Sequence, residues 1–142
     1  MIEISDVRRS IRDTIERGRR RAAERRVRTD EAARAFGRFL DDVAVPLFKQ
    51  IANVLKIEGY PFTVFTPSGG VRLMSDRSAD DYVEITLDTS GDVPRVMAHV
   101  SQRRGRRSID AERIVGSGDP ASVSDEELLA FLAKELEPFV EK

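Results

Sequence analysis

The chain has 142 residues, 40% apolar and 35% charged, a size and balance that exclude a disordered chain and fit one polar globular domain with a real core. Cysteine is absent, which excludes disulfides, thiol nucleophiles and thiolate metal sites, and no apolar run approaches the ~20 residues of a membrane helix. The formal net charge of −1 hides an asymmetry, with ten arginines against five acids in residues 1–28 and seven acids against two lysines in residues 119–142.

Apolar or small residues recur at Ile4, Val7, Ile11, Ile15, Gly18 and Ala22, then in the same phase at Ala33, Phe36, Leu40, Val43, Leu47, Ile51 and Val54. Steps of three and four keep one helical face, so the spacing predicts one long helix over residues 5–56. A competing reading breaks it at residues 27–30, with Thr29 as a new N-cap ahead of Asp30 and Glu31. The phase carries across that joint, which favours the unbroken helix. Pro46 is expected to kink whichever helix holds it, because it lacks a donor and crowds the preceding turn.

The two stretches differ in kind. Residues 36–55 add Phe39, Phe48, Ala52 and Leu55 to the stripe, so they belong in the core. Residues 4–22 carry a narrow stripe in a charged surround and need cover from their own domain or from a partner. The chain thus divides into an arginine-rich arm, residues 1–28, and an α+β domain, residues 29–142.

Gly59 and Pro61 end the helical half. Residues 62–66 are strand-like, the turn Pro67-Ser68-Gly69-Gly70 follows, and residues 71–75 return as a hairpin. Tyr82-Val83-Glu84-Ile85-Thr86-Leu87 alternates, with Val83, Ile85 and Leu87 inward, and Val96, Ala98 and Val100 face inward from the next strand. Arg103-Arg104-Gly105-Arg106 reads as a hairpin turn, and a weaker fifth strand follows over residues 108–115. The last helix has a clear start: Ser124 as N-cap, Glu127 completing a capping box, and Val123 stapling to Leu128. Leu128, Leu129, Leu132 and Leu136, with Phe131, form its apolar face, and Pro138 is expected to end it. The fold class is therefore α+β: a long N-terminal helix, an antiparallel meander of four or five strands, and a C-terminal helix. Phe36, Leu40, Val43, Leu47 and Ile51 are expected to meet Val64, Leu73, Ile85, Val96 and the face carrying Leu129 and Leu132 in the core.

The search for chemistry finds few patterns. His99 is the one histidine and falls on the outward phase of its strand, so a histidine zinc site lacks its other ligands. Asp76, Asp80, Asp81, Asp88 and Asp92 miss calcium-loop spacing and read as solvated turns. The glycines after Pro67 lead into a strand rather than a helix, which fits a hairpin and not a phosphate loop. No metal or cofactor is expected. A candidate ligand face is the outer side of the sheet, where Tyr82, Glu84, Thr86, Met97 and His99 share one phase; a half-solvated sheet face is the plainer reading.

Arginine is the loudest feature. Arg8, Arg12, Arg19 and Arg26 fall within about 40° on a helical wheel, and Arg103, Arg104, Arg106 and Arg107 cluster on a hairpin tip. These eight are the candidate nucleic-acid contacts. Against them, Asp13–Arg17, Glu16–Arg20 and Glu24–Arg28 are spaced to pair along the helix, and the arm has no aromatic residue for stacking on bases. The start Met1-Ile2-Glu3-Ile4-Ser5 lacks the charged-then-apolar order of a signal peptide. The sequence thus leads to a cytoplasmic, non-enzymatic interaction or regulatory module that forms a homodimer through Ile4, Val7, Ile11, Ile15 and Ala22. A nucleic-acid-binding accessory protein and a ligand-binding domain or enzyme using the open sheet face are the alternatives.

Overall fold

The computed structural model describes residues 1–141 and shows an α+β fold. Helix α1 (Ile4–Phe39), a π turn (Leu40–Ala44) and helix α2 (Val45–Ile57) follow without interruption. Five strands come next, β1 (Phe62–Phe65), β2 (Gly70–Ser75), β3 (Tyr82–Asp88), β4 (Arg95–Arg104) and β5 (Arg107–Ile114), paired antiparallel in chain order. Helix α3 (Asp125–Glu135) and a last turn α4 (Glu137–Val140) close the chain. No helix among the described residues is long and apolar enough to cross a membrane.

The unbroken reading of the N-terminal half is the one observed. Residues 27–30 are continuous helix, and Thr29 caps nothing. Pro46 leaves the helix intact but resets its phase. Without an N–H it cannot extend the ladder, and its ring crowds the carbonyl one turn back. The π turn ahead of it gives the room: Val45 donates to the Leu40 carbonyl, five residues back, and Pro46 then falls in the first turn of α2, where no donor is needed. A π turn holds about one residue more than an α turn, so every later side chain is set back by about 100°. The apolar line through Phe36 therefore continues through Ala44 and Phe48, both wholly buried, and not through Val43, Leu47 and Ile51. This corrects the expected core. Leu40, Val43, Leu47 and Ile51 are half-buried at its flank, and Leu129 is 47% exposed.

One face of the sheet meets these helices. Val71 and Leu73 of β2, Val83 and Ile85 of β3, and Val96, Ala98 and Val100 of β4 join Phe48, Leu128 and Leu132 in one core. Register does the aligning, since Val83 stands opposite both Leu73 and Val100. Gly70 must be glycine, because a Cβ there would lie 2.7 Å from the Ile85 carbonyl oxygen. At the start of α3 the Ser124 hydroxyl accepts the Glu127 N–H at 3.1 Å, the expected cap, and Val123 and Leu128 are both buried beside it. Pro138 does not simply end this helix. The chain turns at Leu136, and Pro138 sits in the first turn of α4, which brings Phe139 into the core edge-on to Phe62.

Candidate functional site

The arm has no cover. No residue before Ala35 is buried, so residues 4–34 form about 45 Å of bare helix. Ile4 is 78% exposed, Val7 47%, Ile11 55% and Ile15 47%, while Ala22 is half-buried between its neighbours. On the helical wheel Arg8, Arg12, Arg19 and Arg26 line one flank of this seam and Arg21 and Arg28 the other, whereas Asp6, Asp13, Glu16 and Glu24 stand on the far side. The pairs Asp13–Arg17, Glu16–Arg20 and Glu24–Arg28 do not close among the described residues, and Arg17 donates instead to the Thr14 hydroxyl at 3.3 Å. Arg8, Arg12, Arg19 and Arg26, which belong to none of these pairs, stand exposed beside the seam.

The second arginine cluster sits where a two-residue turn joins β4 to β5. Arg104 pairs with Arg107, Gly105 supplies a positive φ of 63°, and Arg106 completes the turn. Arg103 is committed within the domain: its guanidinium lies 2.9 Å from Asp80, and its backbone N–H donates to the buried Asp81 carboxylate at 2.7 Å. Arg104, Arg106 and Arg107 are exposed. The two clusters are far apart. The domain end of the arm borders Pro120, Ala121 and Val123, a loop tied by Gly118 to Val96 at the start of β4, while the arginine tip lies at the other end of that strand. Ten residues of strand separate them, roughly 30 Å.

The outer face of the sheet gathers Tyr82, Glu84, Thr86, Met97 and His99 as expected, and adds residues that only register reveals. The Arg72 side chain on β2 donates to Glu84 at 3.1 Å and lies 4.1 Å from the centre of the Tyr82 ring. Tyr82 in turn lies alongside His99, with ring centres 6.0 Å apart and planes within 14°. His99 stands 3.6 Å from Glu112 and 3.9 Å from Asp110 on β5. Side chains from four strands thus line up across this face, with Arg72, Glu84 and Tyr82 in direct contact and His99 beside them. The hollow beside it, formed by Phe65, Thr66, Pro67, Arg72, Met74 and Glu84, is an open depression rather than an enclosed pocket. Glu84 enters it already paired with Arg72. Among the described residues no cluster of three or more His, Asp or Glu is placed to hold a metal.

A fourth surface escaped the sequence. Leu47, Gln50, Ile51 and Val54 of α2, Leu129 and Ala133 of α3 and Leu136 just after it line a largely apolar groove of about 360 Å³, open to solvent. Two helices far apart in the chain build it, and the phase reset at the π turn is what aims Leu47, Ile51 and Val54 into it instead of into the core.

The loop leading to α3 holds an anchored carboxylate. Asp119 accepts the Ser122 hydroxyl at 2.7 Å and the Ala121 N–H at 3.0 Å, and these bonds hold its carboxyl below the usual range.

No protein-family model, no curated protein and no solved structure matches this chain, so the reading of its surfaces rests on their own chemistry.

Proposed function

We propose that this protein is a non-enzymatic interaction module that self-associates through its N-terminal helix. One observation carries the reading: an unbroken helix extends from the domain without burying a residue before Ala35, and four aliphatic side chains are exposed along one face. Each is worth about 1.5–3 kcal/mol if fully buried. A lone helix rarely holds itself in water, since most helical stability in proteins comes from packing an apolar face. Gly18 in the middle of the arm weakens it by about another 1 kcal/mol relative to alanine. A partner helix or groove supplies what the domain does not.

The test is molecular mass by sedimentation equilibrium in the tens of micromolar. The unmodified chain is expected as a dimer or larger, and the double variant Ile11→Glu, Ile15→Glu as a folded monomer with unchanged circular dichroism in the strand region. A monomeric unmodified chain overturns the proposal.

Nucleic-acid binding is the second reading, favoured by the arginines left unpaired beside the seam. The separation of the two clusters divides the claim: arm arginines and tip arginines cannot share one short contact. Binding to duplex DNA should then weaken steeply with salt, and Arg8→Ala with Arg12→Ala should flatten that slope by about two. Absence of binding at low salt removes this reading.

A further inference from the structure

We propose that the arm of one copy docks its seam into the groove between α2 and α3 of another copy, a head-to-groove contact rather than a pairing of two arms. The inference rests on the self-association proposed above and names its counter-surface.

The arm cannot reach its own groove. Residues 4–57 are one continuous rod, so the half that carries the seam points away from the half that builds the groove. The occupant from this chain must therefore come in trans. The shapes agree. The groove runs along α3 from Leu129 to its cap Leu136, about 10 Å at ~1.5 Å per residue. Val7, Ile11 and Ile15 span a similar length, and three anchors at turn spacing are the usual grip of a helix in an apolar groove. Val54 is 58% exposed and Leu129 47%, the same degree of exposure as Val7, Ile11 and Ile15.

Charge decides between the two pairings. Two seams laid together bring arginine against arginine: the row Arg8, Arg12, Arg19 and Arg26 meets its own copy in an antiparallel pair and Arg21 and Arg28 in a parallel one, while Asp6, Asp13, Glu16 and Glu24 are turned away. The groove offers the opposite sign. Residues 125–141 carry six acids and one lysine, and Glu126 and Glu137 are exposed, one turn from Leu129 and Ala133. Lys49 and Lys56 stand two residues after Leu47 and Val54, about 200° round α2, and so face away from the groove. An aliphatic seam edged with arginine fits an aliphatic groove edged with glutamate.

The experiment mixes two chains. One carries Ile11→Glu and Ile15→Glu, leaving its groove intact; the other carries Val54→Glu and Leu129→Glu, leaving its arm intact. All four positions are exposed, so both chains should fold. Each alone is expected to self-associate at least about tenfold more weakly than the unmodified chain, because a carboxylate entering an apolar contact is costly. Mixed, the two should form a hetero-complex, since one intact arm then meets one intact groove. A groove variant that self-associates as tightly as the unmodified chain overturns the inference while leaving arm-to-arm pairing in place. A monomeric unmodified chain overturns both. The absence of native cysteine allows a second measurement on nearly unmodified protein. Chains with Ile11→Cys mixed with chains with Val54→Cys should form the mixed disulfide in preference to either homodimer. A dominant product that links two arms through position 11 overturns the inference.

Discussion

Residues 35–57 and residues 4–34 lie on one helical rod and carry apolar residues at the same spacing of three and four, yet they live in different surroundings. The first stretch turns Phe36, Phe39, Ala44 and Phe48 onto a sheet and a second helix; the second turns Ile4, Val7, Ile11 and Ile15 to water. Periodicity therefore identifies an apolar face without saying what covers it. Density is the better guide. The docked stretch has bulky residues spread over more than one face, as a helix must when it meets a sheet on one side and a helix on another. The arm has a single row of aliphatics among arginines, enough for one neighbour and no more.

The contrast is sharpest in stability. Phe48→Ala removes a wholly buried ring and should cost about 3–5 kcal/mol in urea unfolding, whereas Ile15→Ala in the monomeric range should change it by less than about 0.5 kcal/mol. Leu47→Ala should fall between them, near 1–2 kcal/mol, because the groove leaves that side chain half in water. An effect at Leu47 as large as at Phe48 would mean that the phase reset at the π turn is wrong.

Gly18 gives a smaller and more selective probe. A Cβ there meets nothing within 4 Å in the single chain. Gly18→Ala should therefore raise helicity and add about 0.5–1 kcal/mol to the arm's stability. If the assembled protein loses affinity on the same change, a neighbour lies close against Gly18.

The slightest effect concerns acid. Because the folded carboxyl of Asp119 is held below its ordinary range, its bonds contribute stability at neutral pH that is lost as pH falls through the carboxylate range. Amide exchange at Ala121 should lose protection under acid, and Asp119→Ala should remove that dependence.

Much of this architecture is legible in the residues. Strands β3 and β4 follow from alternation, β2 from the hairpin turn ahead of it, and the start of α3 from Ser124 and Glu127, because these signals are local. The π turn is not, since a wheel of fixed angle cannot register a slipped residue; Pro46 marks the place but not the remedy. Arg72, Asp110 and Glu112 escape notice beside Tyr82, Glu84 and His99 because they join that face only through the register of β2 and β5. The groove is hidden for a similar reason: Leu47 and Leu129 lie far apart in the chain and read as core when each helix is taken alone.

The bare rod also governs how the molecule tumbles. A domain of about 110 residues has a radius of gyration near 13 Å, and the arm extends about 45 Å from it, more than three times that length. Friction in solution is set by the longest dimension, so a single copy drifts and rotates like a particle of much greater mass. Its backbone amides should relax at two rates, with those along the rod axis slower to reorient about the transverse directions. Elution volume will consequently overstate the mass of one copy.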